Sequence, residues 1–279
     1  MSSYLTEENS EEVVIDRLED CRDARFRQVM EAAIRHLHGF VKEVEPTQAE
    51  WEAAIAFLTR AGQISDDKRQ EFILLSDTLG ISMLIDAINH RRPSGATKTT
   101  VLGPFHVPDA PKLEMGANLC RDGKGETCLY SGTVTDLNGK PIEGAVLDIW
   151  SDNAEGFYDV QQPDKQPEMN MRGRLTTGAD GRYHFTSIRP VSYPIPTDGP
   201  VGKMLRHMGR HPYRPGHIHF IVSAPGHRTT VTHLFDREDE RLDDDCVFGV
   251  KESLIVDFRT ADDGATRWRA DFDFVLAAA

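Results

Sequence analysis

Cysteine, positive charge and long apolar runs are all scarce in this chain. Among 279 residues there are four cysteines, Cys21, Cys120, Cys128 and Cys246, and no two form a C-x-x-C pair. A chain of this length needs no disulfide staples, so the thiols are expected to be reduced. No apolar run approaches the ~20 residues that cross a bilayer. The opening "MSSYLTEENSEE" is polar and acidic and has no apolar signal core. The expectation is therefore a cytoplasmic protein without a membrane partner. Lys and Arg number 32 against 45 Asp and Glu, a formal net charge of -13. That surface repels phosphate backbones and argues against a nucleic-acid partner. Tyrosine is rare too, at six residues, so each placement carries information.

What is present divides the chain. From Glu11 to Val44 apolar residues recur at helical spacing: Val14, Leu18, Cys21, Val29, Ala33, Leu37, Phe40, Val44. Thr47 with Glu50 forms a capping box that starts a second helix, with Gly62 as its C-cap. Ser65 or Asp66 caps a third, largely buried helix through "EFILLSDTLGISMLIDAINHR", and "RRPSG" ends helical character. From there the texture is that of strands. "TCLYSGTVTDLNGKPIEGAVLDIWSD" carries a tight hairpin signal at "LNGKP", and "GRLTTGADGRYHFTSIRP" turns at "ADG". "HIHFIVSAPGHRTTVTHLF", "SLIVDF" and "WRADFDFVLA" follow. Short strands with no helical pattern between them predict a mainly β protein, an antiparallel β-sandwich over residues 96–279 behind an all-α N-terminal domain over 1–95. The apolar helical positions exceed what one thin layer hides, which points to dimerisation through these helices.

The chemistry-bearing feature is "YRPGHIHF". On a strand, His217 and His219 point to one face. An H-x-H alone is weak, because exposed sheet faces carry histidine freely. No carboxylate follows closely enough for a cupin-type site. Asp236 and Asp243 could complete a two-histidine, one-carboxylate iron site, and His227 or His233 a zinc site. Tyrosine offers another completion. Tyr158 in "NAEGFYD" and Tyr193 in "RPVSYPIP" both fall just past strands, where a rigid scaffold presents functional side chains. Either one alone reads as a half-buried aromatic. Together with the H-x-H they suggest ferric iron. A phenol of pKa ~10 ionises at neutral pH only beside a strong Lewis acid.

With these stretches in view, the sequence resembles the intradiol ring-cleavage dioxygenases over nearly its whole length. The resemblance rests on "LGPF", "GAVLDIWSDNAEGFYD", "GRYHFTSIRPVSYPIP" and "RHPYRPGHIHFIVSAPGHR". It implies one non-haem Fe(III) per subunit, held by Tyr158, Tyr193, His217 and His219. It implies Arg214 and Tyr193 as catalytic residues, Tyr193 being the phenol that leaves the metal to take a substrate proton. It implies a homodimer joined through the N-terminal helices and admits a lipid between them. The substrates would be an aromatic 1,2-diol and O2, with cleavage between the hydroxyls by way of an anhydride.

Three features lean towards the hydroxyquinol branch. These are "SYPIPTDGPVG", "LLSDTLG" with Leu74 and Asp77 on the pocket, and His233 where catechol enzymes usually place a glutamine. The product would be 3-hydroxy-cis,cis-muconate, hence maleylacetate. Leu102, Gly103, Pro104, Phe105, Ile195, Pro196 and Val247 would form apolar walls. Asp77 would accept a hydrogen bond from the third ring hydroxyl. The rival diols are catechol, chlorocatechol and pyrogallol. A rival of another class is a non-catalytic sandwich that binds a ligand or partner.

Overall fold

The computed structural model describes residues 4–66, 69–261 and 264–279. The chain folds as two compact units, Met1–Thr59 and Arg60–Ala279. The first holds α1 (Ser10–Asp16), α2 (Ala24–Val44) and most of α3 (Gln48–Gln63). The helical stretch expected from Glu11 to Val44 is thus two helices. They break before Asp23, whose carboxylate accepts from Phe26 N at 2.9 Å and caps α2. Ser10 Oγ meets His38 Nδ1 at 3.1 Å and pins α1 to α2. The capping box opens α3 as expected, with Thr47 N donating to Glu50 Oε2 at 2.8 Å and Glu50 N to Thr47 Oγ1 at 3.3 Å. Gly62 lies inside α3 and does not cap it. Phe26, Val29, Leu37, Phe40, Val41 and Val44 of α2 remain exposed, as do Trp51, Ile55 and Leu58 of α3.

The second unit opens with α4 (Glu71–Thr78) and α5 (Ile81–Asn89), where one helix was expected. Gly80 divides them at φ 74°, a left-handed conformation that glycine adopts freely. α4 also starts later than its expected caps. Asp66 Oδ1 accepts from Arg69 N at 2.7 Å in a turn, and Ser65 Oγ accepts from Glu71 N at 3.2 Å. Buried Glu71 accepts from Val201 N at 3.0 Å and pairs with Arg69 at 3.0 Å. It thereby fixes α4 against α6 (Pro200–His207).

Among the described residues twelve strands follow: β1 (Thr127–Asp136), β2 (Val146–Trp150), β3 (Arg172–Thr176), β4 (Arg182–Ile188), β5 (Tyr193–Pro194), β6 (Tyr213–Arg214), β7 (His217–Ser223), β8 (Thr230–Asp236), β9 (Ile255–Val256), β10 (Arg259–Thr260), β11 (Trp268–Asp271) and β12 (Phe274–Leu276). One sheet runs β10-β11-β1-β12 with β4 on the other edge of β1, and the second runs β3-β2-β7-β8-β9. Most pairings are antiparallel, but β1–β11, β1–β12 and β8–β9 are parallel. The "LNGKP" turn is as tight as expected, with Asp136 accepting from Asn138 N and Lys140 N. It is not a hairpin within one sheet, since β1 and β2 lie in different sheets, and "ADG" likewise carries β3 over to β4.

Between the sheets pack Cys128, Tyr130, Leu147, Ile149, Leu175, Phe185, Ile218, Phe220, Val222 and Phe274. Period-two alternation puts Ile218 and Phe220 in this core and turns His217 and His219 to the opposite face of β7. Among the described residues no helix is long and apolar enough to cross a membrane.

Candidate metal and substrate site

The outer face of β7 is not wet. His217 is 0% exposed and His219 2%. The sheet register places Trp150, His219 and His233 in one row across β2, β7 and β8. The His219 imidazole stacks on Trp150 at 4.7 Å between centroids. His217 is oriented by a bond from Nδ1 to Pro215 O at 2.7 Å, which leaves the Nε2 lone pair free to accept. Burial is the main force holding both imidazoles, and His233, well below the ordinary histidine range.

The two phenols arrive from separate loops. The segment after β2 folds back on Asn153, whose side chain accepts from Glu155 N at 3.0 Å and Phe157 N at 3.1 Å. It delivers Tyr158 to the head of a 3-10 turn, where the ring stacks on Phe105 at 4.4 Å. Behind that turn Asp159 takes Arg172 Nε and Nη2 at 2.8 and 2.6 Å, a buried pair that locks it in place. Tyr193 sits on β5 directly opposite Arg214 on β6. Its neighbour Gly156 has φ 78°, and a Cβ there would come 2.9 Å from Tyr193 Cβ.

These elements converge. Tyr158 Oη lies 2.8 Å from His219 Nε2 and 3.3 Å from Tyr193 Oη. The nearest ring nitrogens of His217, His219 and His233 lie within 4.8 Å of one another. Two phenol oxygens and two neutral imidazole nitrogens in a dry site form a donor set suited to a hard trivalent cation. The carboxylate alternatives do not join it. Asp236 is bound to Arg189 at 2.6 Å, and Asp243 lines a separate outer groove. His227 binds Pro225 O at 3.0 Å in its exposed turn. His233 packs beside the pair on the adjacent strand, 4.1 Å from His219 between centroids, with its nearest ring nitrogen in the same cluster.

Arg214 borders the donors. Its Nη1 meets His217 Nε2 at 3.1 Å, and Nε and Nη2 reach Asp245 at 3.2 and 3.4 Å. Burial is the largest single influence and works against the Arg214 charge, but the Asp245 carboxylate and the neighbouring phenols together hold the guanidinium above its ordinary value. Asp245 also accepts from Val247 N at 3.2 Å and Gly249 N at 2.9 Å.

Beside Tyr193 and Arg214 is a cavity of about 50 Å³. Its walls include Leu74, Asp77, Gly103, Pro104, Phe105, Ile195, Pro196 and Val247. A shallower space of about 230 Å³ continues outward past Leu74, Asp77, Phe105 and Pro196. Leu102 differs from expectation. It is 43% exposed and absent from the lining, and its neighbour Val101 takes the wall position. His233 is likewise absent from the lining and packs against His219 and His217. Gln161 and Pro194 also line the cavity without having been foreseen. Gln161 could have been suspected from its place three residues after Tyr158, where its Oε1 accepts from Tyr158 N at 2.9 Å. Burial raises the Asp77 carboxyl, with a Ser82 hydrogen bond and the Arg214 charge partly opposing.

The β-sandwich thus carries paired buried phenols and imidazoles beside an arginine-edged cavity, as the sequence resemblance leads one to expect. Comparison with known proteins agrees. The model for "Dioxygenase" matches residues 101–278, and that for "Catechol dioxygenase N terminus" matches 23–97. A hydroxyquinol 1,2-dioxygenase of Rhizobium sp. (strain MTP-10005) is 56% identical, covering 98% of this chain and 96% of its own. A 6-chlorohydroxyquinol 1,2-dioxygenase of Cupriavidus pinatubonensis is 52% identical, covering 96% of each chain. The crystal structure of hydroxyquinol 1,2-dioxygenase from Pseudomonas putida DLL-E4 superposes with a TM-score of 0.93 at 46% identity, covering 98% of this chain and 99% of that one. The chain belongs to the intradiol dioxygenase family and is an enzyme of that type.

Proposed function

We propose that this enzyme cleaves hydroxyquinol (1,2,4-trihydroxybenzene) with O2 between its adjacent hydroxyls, giving 3-hydroxy-cis,cis-muconate and hence maleylacetate. Tyr158, Tyr193, His217 and His219 hold one non-haem Fe(III) per subunit. When bound there, the iron would supply Lewis acidity toward the diol and the activation of its ring toward O2.

The chain does the rest. Burial raises both phenols above the ordinary tyrosine range. The Arg214 charge is the leading opposing influence at Tyr193, whereas at Tyr158 the neighbouring Tyr193 adds to the rise. Tyr193 lies on the cavity wall and Tyr158 does not, so Tyr193 Oη, in the phenolate form that metal ligation would produce, is the group placed to take a diol proton. Arg214, on the same wall, stabilises negative charge that develops on the ring, with a planar and permanently charged fork. Phe105, Ile195, Pro196 and Val247 exclude water and hold the ring flat.

The observation that carries the hydroxyquinol reading is Asp77. A half-buried carboxylate shares one small apolar cavity with Tyr193 and Arg214, where a third ring hydroxyl can donate to it. The hydroxyquinol enzymes among the relatives support the same choice. The exposed apolar faces of α2 and α3 support a homodimer through the N-terminal helical domain, and the same apolar side chains suit a bound lipid. A cytoplasmic location suits this chemistry and the reduced cysteines.

Oxygen uptake on hydroxyquinol and catechol tests the reading. A larger kcat/KM for hydroxyquinol is expected, and a larger value for catechol would overturn the substrate. Ferric phenolate absorbs visible light, so concentrated protein should be red, and Tyr158→Phe or Tyr193→Phe should shift or bleach the colour. Colourless protein, inert after ferric loading, would favour a binding module.

A further inference from the structure

We propose that Asp239 is a positioning residue that fixes the spacing of two donor segments of the metal site without touching metal or substrate. This rests on the assignment of Tyr193 and His217 as iron ligands. Asp239 follows β8, half-buried, in the turn after Asp236. Its Oδ1 and Oδ2 accept from Ser192 Oγ at 2.7 and 2.6 Å, and Oδ2 also accepts from Gly216 N at 2.8 Å. Ser192 immediately precedes Tyr193, and Gly216 immediately precedes His217. One carboxylate thus joins the residue before a phenol donor to the residue before an imidazole donor.

The carboxylate is itself held. Oδ1 accepts from Arg241 N at 2.8 Å, and the Asp239 N–H donates to Asp236 O at 3.2 Å. The next link of the turn returns to the same place, with Asp236 N donating to Gly216 O at 3.0 Å. Gly216 has no space for a side chain. A Cβ would fall 2.8 Å from Pro190 O and 3.2 Å from Asp239 Oδ2, so the two segments already press together. On the other side of Tyr193 they are joined again by the β5–β6 ladder. Tyr193 is therefore held between a backbone pairing and the Asp239 tether. Tyr158 is held by ring stacking and the buried Asp159–Arg172 pair, and the tether does not reach it. The bonds that Asp239 accepts, at 2.6 to 2.8 Å, lie at the short end of the usual range. The consequence is asymmetric. Loosening Asp239 disturbs Tyr193 and His217 together and leaves Tyr158 and His219 in place.

The test uses the full chain with Asp239→Ala, Asp239→Asn and Ser192→Ala. Iron content against a competing chelator, the visible ferric-phenolate band, and the melting temperature of the metal-free protein are measured. Asp239→Ala should weaken iron binding by about 10–100-fold, as loss of a ligand-orienting partner typically does. It should shift the band while the metal-free protein melts within a few degrees of wild type. Asp239→Asn should fall between, because its single carbonyl oxygen can serve only part of the tether. Ser192→Ala, which frees only the phenol arm, should shift the band with a smaller loss of iron. Unchanged band and affinity in Asp239→Ala would overturn the proposal. So would iron loss that merely tracks lowered melting across the three variants. Should Asp239→Ala fail to fold, an unchanged band in Ser192→Ala is decisive against the tether. A wild-type protein that takes up no ferric iron would sink the ligand assignment and this proposal with it. Coloured wild type beside unaltered variants sinks this proposal alone.

Discussion

Arg214 donates from Nη1 to the Nε2 of His217 across 3.1 Å, on the nitrogen that Pro215 leaves with its lone pair exposed. A metal held by that nitrogen would use the same lone pair, freeing the Nη1 hydrogens for the substrate while Asp245 keeps the rest of the fork in place. Arg214→Lys keeps a charge but cannot span Asp245 and the ring together. We expect kcat/KM to fall about 10²–10³-fold, the usual effect of losing a donor aimed at developing charge. Iron content should be retained. Oxygen uptake with a parallel iron assay checks both, and loss of iron in step with activity would make Arg214 a structural element of the metal site.

Gly103 packs on the other imidazole. A Cβ there would lie 3.2 Å from His219 Cε1, at a backbone φ of 77°. Gly103→Ala therefore strains the backbone and pushes the ring. The left-handed conformation alone costs a non-glycine residue about 1–2 kcal/mol, or about 2–8 °C in Tm for a unit of this size. Iron binding should weaken at the same time, because His219 has no slack between Trp150 and Gly103. Calorimetry of the metal-free variant and chelator competition read the two effects separately.

The site was far more legible than the connections. H-x-H on an alternating strand puts His217 and His219 on one face by geometry alone, and Tyr158 and Tyr193 stood out as rare aromatics at strand ends. That the four form one donor set came from the family resemblance, since no local pattern says which loops meet. Other features depended on contacts remote in sequence. Gly80 splits an unbroken apolar pattern because of its left-handed φ, which leaves no trace in the periodicity. "LNGKP" specifies a sharp turn but not which sheet the next strand joins. In "LDDDC" three acids stand in a row, and only the fold shows that Asp245, and not Asp243 or Asp244, meets Arg214. Val101 and Leu102 occupy a coil without period, so a one-residue error in choosing the wall residue was not resolvable.

Asp77 should decide the diol. Catechol has no third hydroxyl to offer it, so Asp77→Ala should lower kcat/KM for hydroxyquinol while sparing catechol. A hydrogen bond to a charged acceptor contributes about 1.5–3 kcal/mol, so the ratio of the two kcat/KM values should drop by about 10–150-fold. Asp77→Asn retains an acceptor oxygen and should recover part of the preference. Equal losses on both substrates would show that Asp77 shapes the cavity without reading the third hydroxyl.

Asp152 gives a prediction about pH. It is 0% exposed, and neither side-chain oxygen has a hydrogen-bond partner among the described residues. Burial is the chief cause of a carboxyl held well above the usual range, against which its own backbone N–H and then the Arg214 charge act only partly. In the unfolded chain the same group ionises near ~3.9. Below that pH both states keep the proton, and the residue contributes no pH dependence. Above it the unfolded state releases a proton that the folded state retains, so folding stability falls as pH rises, up to the raised folded value. Asp152→Asn keeps the size and removes the titration. The melting temperature of the metal-free variant, relative to wild type, should therefore climb as pH rises above about 4. A difference that stays flat or declines over that range would mean that the carboxyl is ionised in the folded protein, stabilised by Arg214 more strongly than burial opposes it.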